Sequence, residues 1–140
     1  MKRTANAHWQ GNIKEGKGNI STQSTVLNNT QYAFGSRFAD GIGTNPEELL
    51  GAAHAGCYTM ALSAFLAQEG ITAGTLDTKA IVEIDPAKLE ITSISLELTA
   101  SVIDGVEEAK FLAIATAAKE NCPVSKALAA TPVSLKVIYQ

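Results

Sequence analysis

The chain predicts an α+β fold. Short strand-like segments separated by turn signals come first, a single long apolar helix occupies the middle, and strands and helices follow without the regular βαβ alternation of a doubly wound sheet. The pattern predicts the order β-β-β-α-β-β-α-α-β, with the sheet mostly antiparallel because hairpins lead. At 140 residues the chain fits one domain, residues 1–140, with enough length for a hydrophobic core. No repeat, low-complexity run or linker divides it.

Each element has its own reason. His8 to Ile13 and Gly18 to Thr25 read as strands around the turn Lys14-Glu15-Gly16-Lys17, where Gly16 supplies permissive dihedrals. Asn28-Asn29-Thr30 signals a second turn. Tyr32 to Phe38 alternates, with aromatic residues at 32, 34 and 38, and predicts a third strand with Arg37 near its end. Asp40 to Asn45 reads as a loop. Thr44 and Asn45 both suit an N-cap, Pro46 suits the first helical position, and Glu47 and Glu48 fall in the first turn. That helix should run to about Gln68 and stop at Gly70. Its apolar residues nearly surround it, so it should be buried on most sides, and Gly51, Ala52, Ala55 and Gly56 would admit a close neighbour.

Strands follow at Leu76 to Ile84 and Leu89 to Val102, on either side of the turn at Asp85-Pro86. The second breaks period two between Ile91 and Ile94, which a bulge would explain. Val106 to Glu120 has helical spacing through Phe111, Leu112, Ile114, Ala115 and Ala118. Asn121-Cys122-Pro123 interrupts it. A short helix from Pro123 to about Ala129 and a last strand from Pro132 to Tyr139 complete the chain.

Composition excludes several roles. Eleven basic residues against fourteen acidic ones leave a net charge of -3, and no basic cluster exceeds Lys2-Arg3, so no nucleic-acid footprint is expected. The opening residues carry no apolar signal segment. The most apolar run, Leu49 to Leu66, contains Gly51, His54, Gly56, Thr59 and Ser63 and reads as a buried helix, not a membrane span. The expected location is the cytoplasm. Gly41-Ile42-Gly43 is no dinucleotide fingerprint, because Pro46 stands at the third glycine position.

Two cysteines in a chain of this size are not a disulfide framework, so in a reducing compartment they are either inert core residues or chemistry. Cys57 falls in mid-helix among apolar residues. Burial alone would raise its pKa, so reactivity requires a cation, for which Arg37 is the candidate. Glu47 lies ten residues earlier on the helix, roughly 15 Å along the axis at about 1.5 Å per residue, too far to touch Cys57 directly. A guanidinium can hold a carboxylate in a fork and still face a sulfur. Cys122 precedes Pro123 and takes the N-cap position of the short last helix, where the helix end favours a thiolate. A thiolate and a second thiol within its reach are what peroxide reduction requires: one sulfur becomes a sulfenic acid, and the other condenses with it to a disulfide. His54 and Cys57 share a helix face, but zinc wants four ligands and no other His/Cys pair is suitably spaced. His54 therefore reads as packed or hydrogen-bonded.

Thr44-Asn45-Pro46-Glu47-Glu48-Leu49, followed by Ala52-Ala53-His54-Ala55 and Cys57, resembles the signature of the OsmC/Ohr family of osmotically inducible and organic hydroperoxide resistance proteins. Asn121-Cys122-Pro123-Val124-Ser125 is similar to that family's second cysteine segment. The opening Ala7-His8-Trp9, Gly11, Gly16-Lys17-Gly18 and Ser21-Thr22, and then Phe34 and Arg37-Phe38, resemble it too, so the likeness covers essentially the whole chain. The His-Trp strand and the place of Arg37 just before the helix resemble the OsmC branch more than Ohr. The resemblance implies an intertwined homodimer with antiparallel sheets wrapped around central buried helices. It implies reduction of organic hydroperoxides, with Cys57 peroxidatic, Cys122 resolving, and Arg37 and Glu47 activating the thiolate; Glu48 is the alternative partner for the arginine. It implies an external thiol or dithiol reductant, such as a lipoylated protein, and no metal or organic cofactor. The alternative is a non-catalytic stress protein that holds a small apolar ligand on the same scaffold.

Overall fold

The computed structural model describes residues 1–140. By contact the chain divides into two compact units, Met1–Leu49 and Leu50–Gln140.

In the first unit, β1 (Ala5–Gln10), β2 (Lys17–Thr22) and β3 (Thr30–Tyr32) form an antiparallel sheet in the order β1-β2-β3. β1 ends earlier than its apolar pattern suggests. Gly11 turns the backbone with φ 96°, and the Asn12 side-chain oxygen accepts the N–H groups of Lys14 and Glu15. Trp9 and Tyr32 meet over Gly18 with ring centroids 5.4 Å apart, and a Cβ on Gly18 would collide with both rings.

The third strand predicted over Tyr32 to Phe38 is overturned. β3 stops at Tyr32, and Phe34–Phe38 forms a short helix, α1, which carries Arg37. Aromatic residues at 34 and 38 satisfy both a period of two and an i,i+4 helical pair, and their rings meet at 5.1 Å. Ser36 decides for the helix: its Oγ accepts the Ala33 N–H at 2.9 Å and donates to the Thr44 carbonyl at 2.8 Å.

α2 (Pro46–Gln68) has the predicted limits. Asn45 is its cap: Oδ1 accepts the Glu48 N–H at 2.8 Å, and Pro46 takes the first helical position. Gly70, with φ 72°, ends it.

The second unit is built on β4 (Leu76–Asp85), β5 (Glu90–Ala100) and β6 (Val133–Tyr139), in the order β4-β5-β6. The expected bulge is present. Glu83 pairs with Ser93 but Ile84 pairs with Ile91, so Thr92 is the extra residue. β6 runs parallel to β5, which corrects the antiparallel expectation. The intervening helices α3 (Glu108–Asn121) and α4 (Pro123–Ala127) carry the chain back to the starting end of β5, as a parallel pair requires. Ile94, Leu96, Leu98 and Ala100 alternate inward along β5. Tyr58, Leu62 and Leu66 of α2 and Phe111, Ala115 and Ala118 of α3 join the latter three in one core, to which Cys122 also belongs. Phe111 stacks on Tyr139 at 4.2 Å.

α2 is not covered on most sides within the chain. Gly51, His54, Tyr58, Leu62 and Leu66 are buried, whereas Ala52, Ala53, Gly56, Met60, Ser63, Ala64 and Ala67 are exposed. The exposed residues also recur every three to four positions, so they form a second apolar stripe.

Candidate functional site

The second unit brings the two cysteines together across 65 positions of sequence. Cys57 and Cys122 Sγ lie 2.8 Å apart as free thiols sharing a hydrogen bond. A disulfide measures about 2.05 Å, so closure requires a movement on the order of 1 Å. Cys57 is placed by the middle of α2, one turn after His54. Cys122 is fixed at both backbone groups. Its N–H donates to the Ala118 carbonyl at 2.9 Å and closes α3, while its carbonyl accepts the Lys126 N–H at 3.0 Å and opens α4. Pro123, which has no N–H, takes the first position of α4, and Cys122 is the N-cap, as the sequence indicates.

The two sulfurs are electrostatically unlike. Burial pushes the Cys57 thiol up, its hydrogen bond to Cys122 adds to the rise, and the Val124 amide opposes it only in part. Burial would also raise Cys122, but its bond to Cys57, the amide and hydroxyl of Ser125 and the amide of Val124 outweigh that and bring it below the ordinary thiol value. This agrees with the sequence reading that Cys57 needs a cation to become the nucleophile and that the start of α4 favours an anion on Cys122.

His54 is fully buried, and its Nε2 lies 2.7 Å from Ser125 Oγ. Its hydrogen-bonded reading from sequence holds. Burial lowers its pKa, which keeps the imidazole neutral near pH 7. Ser125 was not singled out from the sequence. The available signal was its place three residues after Cys122, where a side chain can turn back toward the N-cap.

In the first unit, Arg37 and Glu47 form a bidentate pair. Arg37 Nη2 donates to Oε1 of Glu47 at 2.7 Å, and Nε donates to Oε1 and Oε2 at 3.1 and 3.2 Å. Glu47 is buried, so its position in the first turn is more than a response to the helix dipole. Glu48 accepts from Thr44 Oγ1 at 3.0 Å, so Glu47 is the arginine's partner. The guanidinium also lies 5.1 Å from the Phe38 ring centroid. Arg37 forms the polar wall of a pocket of about 210 Å³ lined otherwise by apolar and aromatic residues, among them Trp9, Tyr32, Phe34 and Phe38. The predicted residues thus assemble as two pairs, the thiol pair in one unit and the ion pair in the other.

Comparison with known proteins adds the lineage. The family model of OsmC-like proteins matches residues 39–137. The peroxiredoxin OsmC proteins of Escherichia coli K12 and Shigella flexneri are each 47% identical over 132 residues, covering 93% of this chain and 92% of theirs. Among solved structures, an organic hydroperoxide resistance protein from Elizabethkingia anophelis is 25% identical with a TM-score of 0.72, over 100% of this chain and 99% of that one. OhrB of Bacillus subtilis, at 23% identity and a TM-score of 0.67 over 98% of both chains, shares the fold. With a family match across most of its length and close relatives among the OsmC proteins, the chain belongs to the OsmC branch of the OsmC/Ohr family.

Proposed function

We propose that this protein is a thiol-dependent peroxidase that reduces organic hydroperoxides to alcohols through a Cys57 sulfenic acid and an internal disulfide with Cys122. The observation that carries this reading is the 2.8 Å approach of two free thiols, one half-buried and one fully buried, in a chain 47% identical to a peroxiredoxin. In the first step the Cys57 thiolate attacks the O–O bond. The sulfur takes one oxygen and the alcohol leaves with the other. In the second step Cys122 displaces that oxygen as water and the S–S bond forms. An external dithiol, with a lipoylated protein as one form of it, then reduces the disulfide. Two electrons pass from the Cys57 sulfur to the O–O bond in the first step and between sulfurs in the later ones, so no prosthetic group is needed.

Arg37 is assigned the positive charge that offsets the burial of Cys57, and Glu47 is assigned to hold its guanidinium in a fork, leaving the remaining N–H donors free. The pocket of Trp9, Tyr32, Phe34 and Phe38 beside Arg37 suits the alkyl part of a hydroperoxide, which favours ROOH over hydrogen peroxide.

The exposed stripe of α2 supports a homodimer in which both units act as one domain with a second copy. Small residues at 52, 53, 56, 64 and 67 allow helices to approach closely, and Met60, 76% exposed, can fill the remaining gaps. α2 has the length and a mean hydropathy of 1.4 that a membrane span also shows. Its buried face, however, packs on a sheet core, and the stripe is better suited to another α2, so we place the protein in the cytoplasm.

The test is consumption of tert-butyl and cumene hydroperoxide against hydrogen peroxide, with a dithiol reductant. Cys57→Ser should abolish turnover, and Cys122→Ser should leave a sulfenic acid on Cys57 that a sulfenic-specific reagent captures. Survival of both wild-type thiols through peroxide treatment would instead favour a non-catalytic binder of apolar ligands.

A further inference from the structure

We propose that His54 and Ser125 are a positioning pair that holds the resolving sulfur of Cys122 ready to attack oxidised Cys57; this rests on the peroxidase reading above. The geometry begins at His54, wholly buried in α2. Nε2 has Ser125 Oγ at 2.7 Å, whereas Nδ1 has no hydrogen-bond partner. A buried N–H without an acceptor is rarer and costlier than an empty lone pair, so the single proton of the neutral ring sits on Nε2. Nε2–H therefore donates to Ser125 Oγ.

The resolving cysteine shares this short element with Ser125, as the N-cap of α4. Ser125 lies three residues after Cys122 at the start of α4, as His54 lies three residues before Cys57 on α2, so the 2.7 Å histidine–serine bond and the 2.8 Å sulfur contact join the same two elements side by side. The histidine–serine bond thus holds the start of α4, and with it the buried sulfur of Cys122, against α2 beside Cys57. The ring of His54, packed in the core unit, fixes the rotamer of Ser125, which sits on a helix of only five residues with no buried side chain of its own.

The step so prepared balances. The Cys122 thiolate attacks Cys57 Sγ of the sulfenic acid, the S–S bond forms and the S–O bond breaks. Cys122 is oxidised and the Cys57 sulfur reduced. The departing hydroxide takes up the proton that Cys122 had released and leaves as water. Neither His54 nor Ser125 is hydrogen-bonded to Cys57, so the pair acts on the second step and not on the first.

The experiment separates the two steps. Single-turnover loss of cumene hydroperoxide reports the first, and timed quenching with a sulfenic-specific nucleophile followed by mass spectrometry reports the lifetime of the Cys57 sulfenic acid. Ser125→Ala and His54→Leu should each lengthen that lifetime by about three- to tenfold, the size of one lost hydrogen bond. Peroxide consumption in the first turnover should keep its rate. Ser125→Thr, which retains a hydroxyl, and His54→Gln, which retains an N–H near the Nε2 position, should restore most of the closure rate. If His54→Leu fails to fold, Ser125→Ala and Ser125→Thr decide. Unchanged closure in Ser125→Ala, or equal slowing of both steps without rescue by Ser125→Thr, overturns the inference. Absence of any sulfenic acid in wild type and in Cys122→Ser overturns the peroxidase reading, and this inference with it.

Discussion

Tyr58 carries a fully buried hydroxyl with no hydrogen-bond partner, and burial raises its pKa far above the usual phenol value. The unfolded chain ionises this group from about pH 10, while the folded chain keeps it protonated. Its contribution is therefore present below pH 10 and lost as pH rises beyond it. Tyr58→Phe should stabilise the protein by about 1 kcal/mol at neutral pH by removing an unsatisfied polar group, and the gain should grow above pH 10. Urea unfolding of the two proteins at pH 7 and pH 10.5 measures both effects. His54 works in the opposite sense: its lowered pKa favours the folded state above about pH 6.5, and that contribution declines as the unfolded chain binds protons below it. At Arg37 the shape of the side chain matters as much as its charge. Arg37→Lys keeps the charge but cannot reproduce the three contacts to Glu47, and hydroperoxide turnover should fall by about tenfold or more with a dithiol assay as the measure. The candidate residues were legible in sequence because cysteine, arginine and a capped acidic turn stand out singly. Ser125 was not, because its role exists only through a histidine 71 positions away.

At the scale of elements, local chemistry and legibility went together. α2 was readable to the residue because its start has a cap, a proline and two acids in consecutive positions, and its end has a glycine in the left-handed region. Asn45→Ala should cost about 1 kcal/mol of stability, read from the urea midpoint, since the Glu48 N–H would lose its acceptor. The bulge in β5 was equally visible, because one extra residue is the only way to put Ile91 and Ile94 on the same face of a strand. α1 was misread because its aromatic spacing fits two periods, and the hydroxyl that chose between them bonds to the carbonyl of Thr44 beyond the next loop. The parallel pairing of β6 was missed for a similar reason. Strand direction follows from where two intervening helices return the chain, and that depends on how they pack and not on the residues of β6.

For the whole molecule, the apolar residues of α2 exceed what one copy of the chain covers. Met60→Glu, placed in the middle of the exposed stripe, should convert the proposed homodimer to a monomer in analytical ultracentrifugation. Leu96→Ala, deep in the core of the second unit, should instead cost about 2 to 5 kcal/mol through the cavity it leaves, measured as a fall in the urea midpoint. The sequence by itself determined the α+β class, the limits of α2, the family, and both cysteines and Arg37 as candidates, since each rests on residues close together in the chain or on a pattern matched along it. Only the tertiary structure decided that Glu47 and not Glu48 takes the arginine, that the two sulfurs stand at 2.8 Å, and that His54 reaches Ser125. Those contacts join positions that periodicity cannot relate, and they form only when packing of the core brings separate elements together.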